Sequence, residues 1–355
     1  PLTVIVAAAS AYFLAYGVTQ PLWGIASDRI GLVRTMRITL LAAGVFSLAS
    51  AASPGVSWLL VSRTLAGGCF SAAFPAALVY VGDTVPGVRR QHEVTGLLSG
   101  SALGTAVATA GAGLLAATIG WRWMFVATGL LGLGLAFALR ALPRPPRTRM
   151  GRPILAPLRD VLRHRASVLV IGLAFAEGAI IIGVITYLPA AVEDGGVSPA
   201  VAGAVVGIYG LAVLVAATAV GRLSARMPPA RLIVVGALAT AAACALAALS
   251  TRPGPVLAVC VLLGIGWAFM HSTLQTWATM VLPSARATVI SLFAGALFAG
   301  SAVSSALGGS SADQGRWALI FLVALAATVP LGLVAAISRH RWSPVPAEQL
   351  RAGQS

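Results

Sequence analysis

Of the 355 residues, 58% are hydrophobic and only 9% charged, with a mean hydropathy of +0.93. A water-soluble globule carries about a quarter charged residues, so this composition excludes a soluble protein and makes lipid the solvent. The net charge of +15 invites a nucleic-acid partner, but the basic residues fall between apolar segments rather than in one patch, which excludes that partner too.

Cutting the chain at charges, prolines and glycine-rich turns predicts eleven apolar segments, at about 4–26, 35–52, 57–81, 94–118, 122–141, 167–189, 200–222, 230–249, 255–281, 286–309 and 316–338. Each approaches the ~20 residues a helix needs to cross a ~30 Å hydrocarbon core. Helices are the default in lipid, which offers backbone groups no hydrogen-bond partner, and the alternation of a barrel strand is absent. The fold class predicted is all-α integral membrane. The first segment carries Tyr12 and Tyr16 one helical turn apart, and Arg63 lies inside the third. Asp83, with Arg89 and Arg90, forms a charge cluster before the fourth, which bears the small-residue stripe Gly96, Gly100 and Gly104. A linker over 142–166, rich in Arg and Pro, is expected to hold a short surface helix near 155–164. Glu177 lies roughly 15 Å into the sixth segment at ~1.5 Å per residue. The seventh bears Gly203 and Gly207, and the ninth places Trp267, His271 and Gln275 on one face at one-turn spacing. The tail, 339–355, is too polar to span.

The chain repeats itself. Gly24-Ile25-Ala26-Ser27-Asp28-Arg29-Ile30-Gly31-Leu32-Val33-Arg34 returns 197 residues later as Gly221-Arg222-Leu223-Ser224-Ala225-Arg226-Met227-Pro228-Pro229-Ala230-Arg231, with the Gly, the Ser and both Arg at the same offsets. Pro86 and Arg89 are matched by Pro283 and Arg286, and Arg122-Trp123 by Arg316-Trp317. A near-constant offset predicts two homologous halves, 1–141 and 167–338, a recurring plan of secondary transporters. All 24 basic residues are Arg, and 20 of them fall in one alternate set of loops. The positive-inside rule makes that set cytoplasmic. The C-terminus is then inside and Pro1 outside, and an initial helix is expected to be missing. Cys69, Cys244 and Cys260 fall within segments, without metal-ligand spacing. Phosphate loops, metalloprotease helices and nucleophile elbows are absent from the sequence. Neither cofactor nor metal is expected, and the chain is not read as an enzyme.

At this point the residues resemble the major facilitator superfamily. Gly24, Asp28, Arg29, Gly31 and Arg34 match its signature between the second and third helices, Arg63 with Gly67 resembles its fourth helix, and Gly120-Trp121-Arg122-Trp123-Met124-Phe125 resembles the turn after its fifth in drug:proton antiporters. The resemblance implies two pseudo-symmetric six-helix halves, here family helices 2–12, with Arg63, Glu177 and His271 on helices that line the central cavity. It implies a conformational gate of Gly24, Asp28, Arg29, Gly31, Arg34 and Asp83, Asp28 capping a helix and the arginines pairing across the halves. Intramembrane ionisable groups are costly and mark function, so Glu177 and His271 are expected to carry protons, and Arg63, Tyr12, Tyr16, Trp267 and Gln275 to line the solute cavity. Gly96, Gly100 and Gly104 are expected to pack against Gly203 and Gly207 where family helices 5 and 8 meet. The function expected is proton-coupled efflux of a drug-like or amphipathic compound, by a monomer in the bacterial cytoplasmic membrane. The alternative is proton-coupled uptake of a small metabolite with Arg63 as a carboxylate clamp. A polytopic receptor or membrane enzyme is the reading from another class.

Overall fold

The computed structural model describes residues 2–143 and 156–343, apart from the side chains of 2, 28, 87, 88, 90–92, 94 and 95. The first half holds α1 (Leu2–Ile30), α2 (Leu32–Ala51), α3 (Val56–Phe70), α4 (Ala73–Thr84), α5 (Gly87–Thr118) and α6 (Arg122–Ala138). After the short α7 (Ala156–Arg163) come α8 (Arg165–Glu177), α9 (Gly183–Glu193), α10 (Pro199–Leu223), α11 (Pro229–Leu249), α12 (Pro253–Gly266), α13 (Ser272–Val281), α14 (Arg286–Asp313) and α15 (Trp317–Arg341). Pairing α3 with α4, α8 with α9 and α12 with α13 gives eleven helices long and apolar enough to cross a membrane.

Several expectations change in detail. The sixth span continues to Glu193 with Pro189 inside α9, since a bilayer helix tolerates Pro where neighbours satisfy the freed carbonyl. The motif Gly24–Gly31 is not an open turn: α1 runs to Ile30 and Gly31 alone, at φ 91, reverses the chain into α2. Asp28 therefore sits in the last turn of α1, and the N-cap position of the helix that follows is held by Gly31. A single-residue reversal with positive φ is open to glycine because it has no Cβ. The surface helix foreseen in the linker is α7, anchored by the fully buried Val161, while 144–155 lie outside the described residues.

Within the halves, α1 packs on α3, α2 on α6, α11 on α15 and α14 on α8. Two seams join the halves, α1 with α14 and α5 with α10. In the first, a Cβ added to Gly17 would lie 2.5 Å from the Gly295 carbonyl oxygen. In the second, Gly203 and Gly207 meet α5 as expected, but through Thr109, Gly113 and Ala106. Gly96, Gly100 and Gly104 are exposed and meet nothing. The stripe lies on another side of α5 from the seam: at 3.6 residues per turn, Gly104 and Ala106 point about 200° apart. Gly96, Gly100 and Gly104 correspond, at offset 197, to Phe293, Leu297 and Ser301 of α14, and Leu297 presses its carbonyl against Gly178 of the sixth span. Among the described residues no span stands in that place against α5.

Candidate functional site

Two polar centres lie inside the spans, one in each half. In the second half, Glu177 ends α8 and is 0% exposed, with Nδ1 of His271 donating to its Oε2 at 2.9 Å. Its other oxygen, Oε1, is buried and has no hydrogen-bond partner among the described residues. His271 keeps 12% of its side chain exposed. Trp267 stacks on its imidazole at 4.0 Å and 14° between planes, and Phe293 of α14 closes the other approach at 5.7 Å. This is the one ion pair found among the described residues. An unpaired buried charge would be costly, and the contact gives each group an opposite partner.

The backbone is irregular at both partners. Glu177 is followed at once by a π-helical turn, Gly178–Ile182, and His271 is the last residue of another, Trp267–His271. A π turn takes one residue more than an α turn and recurs at functional sites because it re-aims side chains and can be absorbed again. The third span is irregular at the matching place. Its helix breaks at Ser71–Ala72, which correspond at offset 197 to Ala268 and Phe269 within the second π turn. There Pro75 lacks the N–H that the Ser71 carbonyl would receive.

In the first half, the Arg63 guanidinium lies between two aromatic faces, 4.3 Å from the Tyr12 ring centre and 4.9 Å from that of Phe125. Cations are drawn to ring faces by the quadrupole. No carboxylate pairs with Arg63 among the described residues. Tyr16 is buried beside it, tilted on Phe298 of α14 at 4.0 Å, and Phe13 stacks on the same ring at 5.9 Å. Since Leu297 abuts Gly178 and Phe298 abuts Tyr16, α14 separates the two centres by one residue step.

The structure thus brings together Glu177, His271 and Trp267, and separately Arg63, Tyr12 and Tyr16. Gln275 is half-buried and makes no hydrogen bond with the pair. Arg29, Arg34 and Asp83 are exposed, and no ion pair joins them across the halves. Gly24 faces Ser291 of α14 at an ordinary 3.6 Å for an added Cβ, and the Asp28 side chain lies outside the described residues. Phe125, Phe293 and Phe298 were missed as site residues. Phe125 stands in the motif Gly120–Phe125, whereas Phe293 and Phe298, the two aromatics of α14, lie among apolar neighbours with no local mark of a site.

The sequence profile of the Major Facilitator Superfamily matches residues 2–283 and again 169–354. Puromycin resistance protein pur8 of Streptomyces alboniger is 34% identical over 171 residues, covering 47% of this chain and 33% of that protein. The 4-hydroxybenzoate transporter PcaK of Pseudomonas aeruginosa is 27% identical over 305 residues, 76% of this chain and 65% of that protein. A chloramphenicol resistance protein of Streptomyces lividans is 27% identical over 281 residues, 76% and 72% of the two chains. The matched region thus spans about a third of the first relative and just under two thirds of the second. A crystal structure of the nucleoside transporter NupG superposes with a TM-score of 0.76 at 13% identity, over 94% of this chain and 91% of that one, which shows a shared fold.

Proposed function

The chain belongs to the major facilitator superfamily, a family of membrane transporters and not of enzymes, and from that premise we propose that it exports a small drug-like or amphipathic solute in exchange for protons. The observation that carries this is the buried Glu177–His271 pair with a π turn beside each partner. Glu177 in its ionised form holds His271 through Oε2, and Oε1 is the acceptor left for an arriving proton. Neutralising Glu177 removes the attraction that fixes the imidazole. The two π turns then supply the slack for α8–α9 and α12–α13 to shift. A ligand moves such an equilibrium only by binding the two states unequally, and the proton does so through this pair. The half-bundles, 1–141 and 167–338, rock about the α1–α14 and α5–α10 seams, between a tail 339–355 and a linker 142–166 on the cytoplasmic side.

The Arg-rich ends face the cytoplasm. The α5–α10 contacts run from Gly113 with Gly203 to Gly210 with Ala102. At the opposite end the Thr3 N–H donates to Asp313 Oδ1 at 3.0 Å, tying α1 to α14. Efflux is supported by the resistance-protein relatives. Cells expressing the intact protein should accumulate less of a fluorescent cationic dye than cells without it, and higher accumulation would overturn the direction.

A second reading rests on Arg63, a guanidinium between rings with no carboxylate partner among the described residues. That geometry favours an aromatic carboxylate taken up with a proton, and the 4-hydroxybenzoate transporter is one of the relatives. Proton-driven uptake of a radiolabelled benzoate into proteoliposomes, lost in Arg63→Gln, would decide for it.

A further inference from the structure

The two halves differ at one more matched position, outside both polar centres. In the first half α2 packs on α6, and in the second its repeat mate α11 packs on α15. Arg37 on α2 is half-buried and its Nε donates to the Ala136 carbonyl of α6 at 3.4 Å, so that a guanidinium reaches across from one helix to the other. Its mate at offset 197 is Val234 on α11. There the space is an open groove of about 410 Å³ between α11 and α15, lined by Ala230, Val234 and Ile337 along its apolar wall and by Arg231, His340 and Arg341 at one end. The three basic residues are exposed and pair with no carboxylate among the described residues. Arg231 is also in the first turn of α11, where backbone N–H groups and the helix dipole add to the positive field.

We propose that this groove is a binding site for one anionic phospholipid of the leaflet on the Arg-rich side, its phosphate held by Arg231, His340 and Arg341 and one acyl chain laid along Ala230, Val234 and Ile337. The argument for this occupant is complementarity. A basic pocket between membrane helices at the headgroup level suits an anionic head, and guanidinium groups bind phosphate oxygens in a bidentate manner. Val234 and Ile337 stand about one helical turn from Arg231 and Arg341 on the membrane side, which suits a molecule that is charged at one end and apolar next to it. Arg34 and Arg231 are conserved between the two copies, so the charge alone does not distinguish the halves. Val234 in place of Arg37 does.

The test uses the intact protein purified in detergent, with bound lipid counted by native mass spectrometry and thermal unfolding followed with added phosphatidylglycerol or phosphatidylcholine. Phosphatidylglycerol should stay bound and raise the unfolding midpoint, and phosphatidylcholine should do neither. Val234→Arg, which copies Arg37 of the first half, should lower phosphatidylglycerol occupancy several-fold although it adds a positive charge. The double variant Arg231→Gln with Arg341→Gln should lower it similarly and serves if the added arginine disturbs folding. Equal or greater occupancy in Val234→Arg would overturn the site, since net charge of +15 would then explain the attraction. Undiminished occupancy in the double variant would do the same. Inorganic phosphate giving the protection of phosphatidylglycerol would overturn the lipid and leave a soluble-anion site.

Discussion

The two halves come from one duplicated plan, yet each places its buried charge differently. The first half holds a cation, Arg63, between aromatic faces; the second holds an acid and a base, Glu177 and His271, in contact. At offset 197 the mate of Arg63 is Cys260 and the mate of His271 is Phe74, so neither the cation nor the imidazole has a copy in the other half. The irregular backbone is shared more closely than the chemistry. A Pro-driven break at Ser71–Ala72 and a π turn at Trp267–His271 interrupt matched spans at matched places. Duplication thus kept the positions where a helix yields, while the side chains placed there diverged.

The largest effect that tests this comparison concerns the sixth span. Gly178→Leu has no room against the Leu297 carbonyl and should cost at least about 3 kcal/mol of stability, the upper range for overpacking. Gly100→Leu, at the repeat mate of Leu297 on the open face of α5, should stay within about 0.5 kcal/mol in this 355-residue chain. Thermal unfolding in detergent checks both, and equal losses would contradict the account of the open face.

A smaller effect is expected at Arg63. Replacing it with Gln removes the cation from between Tyr12 and Phe125 and should raise the KM for solute about tenfold, close to 1.4 kcal/mol. Lys keeps the charge but not the planar stacking, so Arg63→Lys should recover part of that loss. Transport kinetics in proteoliposomes measure it, and an unchanged KM would remove Arg63 from the cavity. Smaller still, Gly31→Ala places a Cβ at φ 91 and ψ 145, a region essentially reserved for glycine, and should destabilise by about 1 kcal/mol. At the same place in the second copy stands Pro228, whose φ of −58 cannot make that reversal. The chain there uses a longer turn between Leu223 and Pro229, so Ser224→Ala should leave the unfolding midpoint nearly unchanged.

The spans, their number and the duplication were legible because hydropathy and charge spacing act over twenty residues at a time. Glu177 and His271 were legible as a pair for a related reason: a buried acid needs a partner, and few are available in so apolar a chain. The contacts of α5 were not, because a glycine stripe reports where a backbone can approach and not which neighbour is present. The N-cap position of α2 falls to Gly31 and not to Asp28 because that glycine reverses the chain in a single step. The π turns left no mark in the sequence, as neither Gly-Ala-Ile-Ile-Ile nor Trp-Ala-Phe-Met-His differs in composition from an ordinary apolar turn. They follow from packing against α14 and α11, which only three dimensions supply.

The most direct test of the central claim separates proton coupling from solute movement in the same protein. In proteoliposomes holding the intact protein, Glu177→Gln should abolish transport driven by an imposed pH gradient while leaving solute–solute counterflow within about threefold of the unsubstituted rate. Full gradient-driven transport by Glu177→Gln would contradict the account and return the buried pair to a purely structural role.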